Sequence, residues 1–356
     1  MPIVDVRCHP LHAPLHTPFV TSLRSTTSVE SMLVEVLDSD GAYGLGEGPA
    51  VWQVSGESLA SVQACVEGPL RSLLLRRDPD DLVPLLHDVA ACVVGNAAAK
   101  AAVDVALHDL VARRRGVSLA VLLGGSQLQV PTDVTVAAGD PATLVAAALD
   151  RVTDGFDVLK LKVGTDAATD VERVLAVRAA VDPGTTIRLD ANQGWAPREA
   201  VRVLNRLEDA GADVELVEQP VAAADLDGLA WVRDRVHTPV MADEAVFGVR
   251  DLVSVITRGA ADLVNVKLAK AGGLLPARTL LELARAHGLG TMVGSMMEGP
   301  VGVGAAASLV AAHGTTVVPD LDAAWWLAEP PLTGGPSYDG AVLHLADAPG
   351  LGIERP

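Results

Sequence analysis

Cysteine is scarce: Cys8, Cys65 and Cys92 are the only three among 356 residues. They are far apart and odd in number, and no pair has metal-ligand or redox spacing. They are read as reduced thiols of a cytoplasmic protein. Clustered positive charge is missing too, and the formal net charge is −18. A nucleic-acid partner or an anionic membrane surface needs such clusters, so both are disfavoured. The first residues, MPIVDVRCHPLHAPL, lack a basic start followed by an apolar run and are not read as a signal peptide. Stretches rich in alanine and valine near 91–112 and 301–312 are too short or too charged to span a bilayer. No G-x-G-x-x-G or G-K-[ST] loop announces a nucleotide.

Apolar residues are plentiful at 49%, enough for a large core. The length exceeds one ordinary compact domain but suits a barrel with a smaller companion. Residues 29–37, VESMLVEVL, read as a strand after a polar loop, and the glycine-rich DSDGAYGLGEG reads as the turn that follows it. From about 55 to 115 the pattern is helical, best in AAAKAAVDVALHDLVARRRG, which ends on Gly116. Strands first and helices afterwards suggest a small α+β domain. From about 130, short apolar strands alternate with amphipathic helices. The strands are TDVTV (132–136), VLKLKV (158–163), TIRLD (186–190), VELVEQP (214–220), VMADE (240–244), LVNVKLAK (263–270), GTMVGSM (290–296) and TTVVPDLD (315–322). Eight strands with intervening helices predict an α/β fold closed as a barrel, not an open sheet.

Polar residues recur in phase with these strands. Thr135, Lys160 with Lys162, Asp190, Glu218, Asp243, Lys267, Ser295, and Asp320 with Asp322 follow one another at intervals of 24–30 residues. Each lies at or near the C-terminal end of its strand, where barrel sites form. Asp190, Glu218 and Asp243 fall on three neighbouring strands. Carboxylates converging there would repel one another unless a cation sat between them, and oxygen-only ligands favour Mg²⁺. Lys160 and Lys162 are two apart and share a face. Lys267, on the sixth strand, lies across the ring from the second. A substrate held between Lys162 and Lys267 would meet a base on each face, the geometry of two-base proton transfer next to a carboxylate. Lys270, three residues after Lys267, is expected to face the other way, as a surface lysine. Glu47 could reach the barrel mouth, with no role assigned.

The K-x-K of LKLKV, LDANQGW, VEQP, MADE and the lysine of NVKLAKAGG together resemble the muconate-lactonizing subgroup of the enolase superfamily. AVDVALHDL and LLGG extend that resemblance over nearly the whole chain. It implies a (β/α)₇β TIM-like barrel at 126–322 and an N-terminal α+β capping domain at 1–125, completed by a tail at 323–356. It also implies Lys162 and Lys267 as acid/base residues, Asp190, Glu218 and Asp243 as Mg²⁺ ligands, and a homo-oligomer. The subgroup holds muconate cycloisomerases, o-succinylbenzoate synthases, N-succinylamino acid racemases and dipeptide epimerases. Two carboxylates away from the metal, Asp320 and Asp322, suit a substrate ammonium. This D-x-D resembles that of the dipeptide epimerases, so a dipeptide is the expected substrate. Arg24 is expected to pair with an acidic second side chain, and Thr135 and Lys160 to orient the substrate carboxylate. Ser295 and Met297 are expected to contact substrate. N-acylamino acid racemases, o-succinylbenzoate synthases and muconate cycloisomerases are the alternatives whose substrates lack that ammonium. A metal-binding scaffold without activity has no use for two opposed lysines.

Overall fold

The N-terminal segment alternates apolar and polar residues, and the chain uses it as an 18-residue strand, β1 (Ile3–Val20). The computed structural model describes residues 1–21, 25–137 and 139–355. β1 pairs antiparallel with β2 (Ser25–Asp38), which pairs with β3 (Tyr43–Pro49). Two expectations are corrected here. The polar segment before residue 29 is largely the facing ends of β1 and β2. The glycine-rich stretch expected as a turn is strand from residue 43 onward. Its glycines have a packing reason. A Cβ at Gly44, Gly46 or Gly48 would lie 2.0, 1.7 or 2.9 Å from the carbonyl oxygens of Ala106, Ala102 and Ala98. Those alanines belong to the helix Ala97–Arg115, whose backbone lies directly against the strand. Alternate residues of a strand face opposite sides, so Leu45 and Glu47 point away from that helix. The helix ends where expected: Gly116 has φ +66° and donates to the carbonyls of Ala112 and Arg113, a left-handed stop that glycine adopts without strain.

After β4 (Gln129–Pro131), seven parallel strands follow in strict chain order: β5 (Val134–Val136), β6 (Val158–Lys162), β7 (Thr186–Asp190), β8 (Val214–Glu218), β9 (Val240–Ala242), β10 (Leu263–Lys267) and β11 (Gly290–Gly294). Helices separate them, as β-strand crossovers require. The eighth expected strand, 315–322, forms a seam instead of a ladder. It makes one parallel bridge, Gly294 to Asp320. Asp320 N donates to Val293 O at 3.0 Å and Asp133 N to Pro319 O at 3.0 Å, so the segment joins β11 to the residue before β5. Pro319 has no N–H to extend the pairing. The result is the (β/α)₇β barrel with an N-terminal α+β domain.

Inside the barrel, Leu216, Met241, Leu263 and Met292 pack as one small core. Arg188 is fully buried beside them, bonded to Asp133 Oδ2 (2.9 Å), to Val318 O (2.6 Å) and to Glu215. A charge this deep persists only with several partners. The last residues return to both halves. β12 (Ser337–Asp339) pairs with β13 (Val342–His344), and β13 with β4. Further on, Leu119 N donates to Gly350 O (2.8 Å) and Leu351 N to Asp109 Oδ1 (2.6 Å). Trp325 and Trp326 pack against His16 and Phe19 of β1, with ring centroids 4.9–5.8 Å apart. Among the described residues no helix is long and apolar enough to cross a membrane.

Candidate active site

Strand register sets the polar residues side by side. Lys162 pairs with Asp190 and Asp190 with Glu218 along β6, β7 and β8. Lys160 lies one inward-facing step deeper on β6. Asp243 follows β9 directly, and Lys267 ends β10. Thr135, Lys160, Lys162, Asp243, Lys267, Ser295, Met297, Asp320 and Asp322 all line one pocket, while Asp190 and Glu218 are fully buried. Of the site residues expected from sequence, only Arg24 lies outside the described residues. The pocket lies partly under the capping domain, which contributes Phe19, Thr21, Val51, Gln53 and Val54 to its wall. Lys162 stands over the Phe19 ring at 5.9 Å.

Each carboxylate is drawn to ammonium groups. Lys162 Nζ lies 2.5 Å from Asp190 Oδ2, and Lys267 Nζ lies 2.8 Å from Asp243 Oδ2. Lys160 pairs with Asp320 and stands 3.6 Å from Glu218 Oε2 and 3.8 Å from Asp190 Oδ2. Burial works against the charge on Lys160, but Asp320, Glu218 and Asp190 overcome it and hold its pKa well above the ordinary value. Asp243 shows the converse: burial is outweighed by Lys267 and Lys270, and its carboxyl is held low. Asp320 is held low in the same way by Lys160 and the two catalytic-candidate lysines. Asp322 is raised by burial and by Asp320, although Thr135 N (2.7 Å) and Trp326 Nε1 (2.9 Å) both donate to its Oδ2.

Glu218 differs from Asp243. Burial together with the charges of Asp190 and Asp243 pushes its carboxyl up to about 8. Its Oε1 accepts from Asn265 Nδ2 at 2.7 Å, while its buried Oε2 has no hydrogen-bond partner. No three acidic, imidazole or thiol side chains among the described residues stand close enough to hold an ion as they are, since lysines reach in between them. The donor set nonetheless fits a hard divalent cation. It offers three carboxylates on adjacent strand ends, oxygen donors only, and one oxygen left without a donor. Asp190, Glu218 and Asp243 could therefore hold Mg²⁺.

Several residues went unrecognised in the sequence. Lys270 is buried, contrary to expectation: its Nζ lies 2.5 Å from Asp243 Oδ1 and also bonds Asp243 O and Asn265 O. The strand ends at Lys267, and Leu268–Ala271 is a helical turn. Three residues of helix nearly complete a turn, so Lys270 returns to the face that strand alternation would have denied it. Glu244, next to Asp243, also lines the pocket, and burial with the charges of Asp243 and Asp190 raises it to about 7. Gln219 Oε1 receives the backbone N–H groups of Asp243 (2.9 Å) and Ala245 (3.1 Å) and so orients the Asp243 turn. Asn192, Gln193 and Gln219, which follow Asp190 and Glu218, have φ of +41°, +69° and +35°. Left-handed backbone at non-glycine residues costs about 1 kcal/mol or more each and gathers at functional sites.

A (β/α)₇β barrel, a cap over its mouth and opposed lysines around strand-end carboxylates define a recognisable class. The chain belongs to the mandelate racemase/muconate lactonizing enzyme family of the enolase superfamily: residues 3–124 match the profile described as mandelate racemase / muconate lactonizing enzyme, N-terminal domain, and residues 143–355 match enolase C-terminal domain-like. The L-Ala-D/L-Glu epimerase of Bacillus subtilis, solved as a substrate-liganded complex, is 40% identical with a TM-score of 0.96, covering 99% of both chains. The dipeptide epimerase of Enterococcus faecalis, solved with Mg and L-Leu-L-Tyr, is 36% identical with a TM-score of 0.95 over 100% of both chains. The L-Ala-D/L-Glu epimerase of Clostridium acetobutylicum is 39% identical over 99% of each.

Proposed function

We propose that the protein is a Mg²⁺-dependent dipeptide epimerase that inverts the α-carbon of the C-terminal residue by two-base 1,1-proton transfer. One observation carries the reading. Asp320 and Asp322 stand in the same pocket as Lys162 and Lys267, so an ammonium at one end of a substrate and a carboxylate at the other can be held at once. The three dipeptide-epimerase relatives support it.

Lys162 and Lys267 lie on β6 and β10, four strands apart in the ring, and take opposite faces of the α-carbon. One, as the free amine, removes the α-proton; the other, as the ammonium, delivers a proton to the opposite face. The C–H bond broken on one side is replaced by a C–H bond on the other, and the lysines exchange protonation states. Mg²⁺ held by Asp190, Glu218 and Asp243 would supply positive charge toward the substrate carboxylate. Asp320, with Asp322 behind it, receives the substrate ammonium, and Lys160 and Thr135 orient the carboxylate. Ser295 and Met297 form the wall beside the reacting carbon. Arg24, which follows β1 in sequence, pairs with an acidic second side chain.

The same reading divides the chain into a cap at 1–125 with the tail 323–356 and a barrel at 126–322. It also makes the protein a cytoplasmic homo-oligomer, in keeping with its free cysteines. The test is a screen of L,L-dipeptide mixtures, L-Ala-L-Glu included, with Mg²⁺ in D₂O. Dipeptide epimerisation gives a one-unit mass gain in particular dipeptides. No gain with any dipeptide, together with exchange of N-succinylamino acids, would replace the substrate assignment.

A further inference from the structure

Glu47 is a buried carboxylate that the proposed proton transfer does not use, and two of its three hydrogen-bond partners belong to the other half of the molecule. It leaves β3 on the side away from the helix Ala97–Arg115. Its Oε1 accepts from Ser31 Oγ (2.6 Å) and from Gly299 N (2.6 Å), and its Oε2 accepts from Gly302 N (3.0 Å). Gly299 is the N-cap of the barrel helix Pro300–His313, which has no side-chain cap of its own. The first N–H groups of a helix lack internal partners and favour negative charge. Glu47 supplies both needs from the capping domain.

What this capping holds in place is the pocket wall. Between β11 and that helix run residues 295–298, and Ser295, Met296 and Met297 line the pocket. The stretch is tied at its start, where Ser295 N donates to Asp320 O (2.9 Å), and within, where Met296 N donates to Glu298 Oε1 (2.9 Å). Its far end is tied by Glu47. It grows out of Gly294, which pairs in register with Lys267, and a Cβ at Gly294 would lie 3.0 Å from Lys267 Cε. A shift of this stretch therefore meets Lys267 before any other catalytic-candidate side chain. Glu298 stands at the same helix end, its Oε2 only 2.1 Å from where a Gly302 Cβ would sit. Burial and the charge of Glu47 push Glu298 up to about 8. Burial raises Glu47 as well, against its hydroxyl and backbone donors.

We propose that Glu47 is a positioning residue for the Lys267 side of the site: by capping the helix Pro300–His313 it holds residues 294–299 against the substrate and makes proton transfer at one face depend on the docked capping domain. The inference rests on the two-lysine reading above. It predicts an asymmetric lesion, because the stretch that Glu47 ties continues the strand paired with that of Lys267, whereas Lys162 lies across the ring.

The experiment follows α-proton exchange with retention of configuration in D₂O and Mg²⁺, separately for L-Ala-L-Glu and L-Ala-D-Glu, or for the pair that the dipeptide screen selects. Lys162→Ala and Lys267→Ala assign which epimer presents its proton to which lysine. In Glu47→Ala, exchange at the Lys267 face should fall at least about tenfold more than at the Lys162 face, as displacement of a reacting group by a fraction of an ångström to an ångström implies. Glu47→Gln, which keeps one acceptor oxygen and the side-chain shape, should recover part of the loss and serves if the alanine variant does not fold. Calorimetric Mg²⁺ affinity should stay within about threefold of the native value, since no carboxylate near the metal site is touched. Equal losses at both faces, or no loss at either, would overturn the proposal. Native enzyme that exchanges neither epimer, or lysine variants that lose no face, would instead overturn the two-lysine reading beneath it.

Discussion

Gly46→Ala adds one methyl group where the structure has no room for it. The new Cβ would lie 1.7 Å from Ala102 O, 2.7 Å from Ala102 C and 2.9 Å from Ala106 N. All three are backbone atoms of the helix Ala97–Arg115, so no change of rotamer relieves the clash. An ordinary contact needs about 3.5 Å, so strand and helix must separate by roughly 1.5–2 Å. Overpacking of this kind costs about 1–3 kcal/mol, and a rigid backbone neighbour places it toward the upper end. The assay is urea denaturation, with the loss read as a lower midpoint at an unchanged slope. Gly68→Ala is the internal control. Apart from its chain neighbours, its Cβ would meet nothing within 4 Å. The helix-propensity gain is opposed by Pro69, which disfavours helical backbone at a preceding residue that carries a Cβ, so the variant should stay within about 1 kcal/mol of the native protein. The displaced strand also carries Glu47, so Gly46→Ala should reproduce the one-sided exchange defect in milder form. A variant within about 0.5 kcal/mol of the native protein would refute the reasoning that the glycines of β3 exist to admit the helix backbone.

Lys162→Ala and Lys267→Ala should each lower epimerisation by about 10³-fold or more while leaving single-face exchange, read by proton NMR in D₂O; two variants with full activity would end the two-base mechanism. Asp320→Asn should lower kcat/KM for dipeptides about 10–100-fold, the worth of one charge-assisted hydrogen bond, and harm N-succinylamino acids far less. Equal losses on both would remove the ammonium pocket. His108 lies 3.1 Å from Asp104 Oδ1, which also receives Leu274 N at 2.7 Å, and Arg115 and Arg278 share the adjoining pocket. Burial opposes its charge, yet Asp104 raises its pKa above the ordinary histidine value. A raised folded-state pKa gives stability that is complete below about 6.5 and is lost as the pH rises through the folded value. The urea midpoint of the native protein should therefore fall from pH 6 to pH 9 relative to His108→Gln; parallel curves would show that the pair contributes nothing.

The barrel was legible because its signal is doubly periodic: strand patterns repeat, and a polar residue closes each at an interval of 24–30 residues. No surface requirement keeps such a phase, so the sequence alone sets Lys162, Asp190, Glu218, Asp243 and Lys267 at strand ends. The cap was harder to read. β1 carries Pro10, Pro14 and Pro18, which count against a strand, yet β1 is the edge of its sheet, where proline costs least. β3 reads as a turn because three of its seven residues are glycine, and their reason lies 50 to 62 residues later, in the helix Ala97–Arg115. Lys270 was misplaced by one local fact, the change from strand to helix after Lys267. Glu47 and Gln219 act through partners on distant segments, which one sequence without its relatives does not disclose.

The seam at 315–322 gives the barrel a weak stave. Closure there rests on a few bonds around Asp320 and Asp133 in place of a full ladder, and the same short segment carries Asp320 and Asp322. The residues assigned to hold the substrate thus stand on a part of the ring that lacks a continuous ladder and opens the more readily for it. A ligand that reaches from Asp320 to the lysines opposite would lash the stave to the rest of the cask. Occupancy should then be written in the protection of a handful of backbone amides, those of Asp133, Ser295 and Asp320 foremost, as plainly as in any chemical conversion.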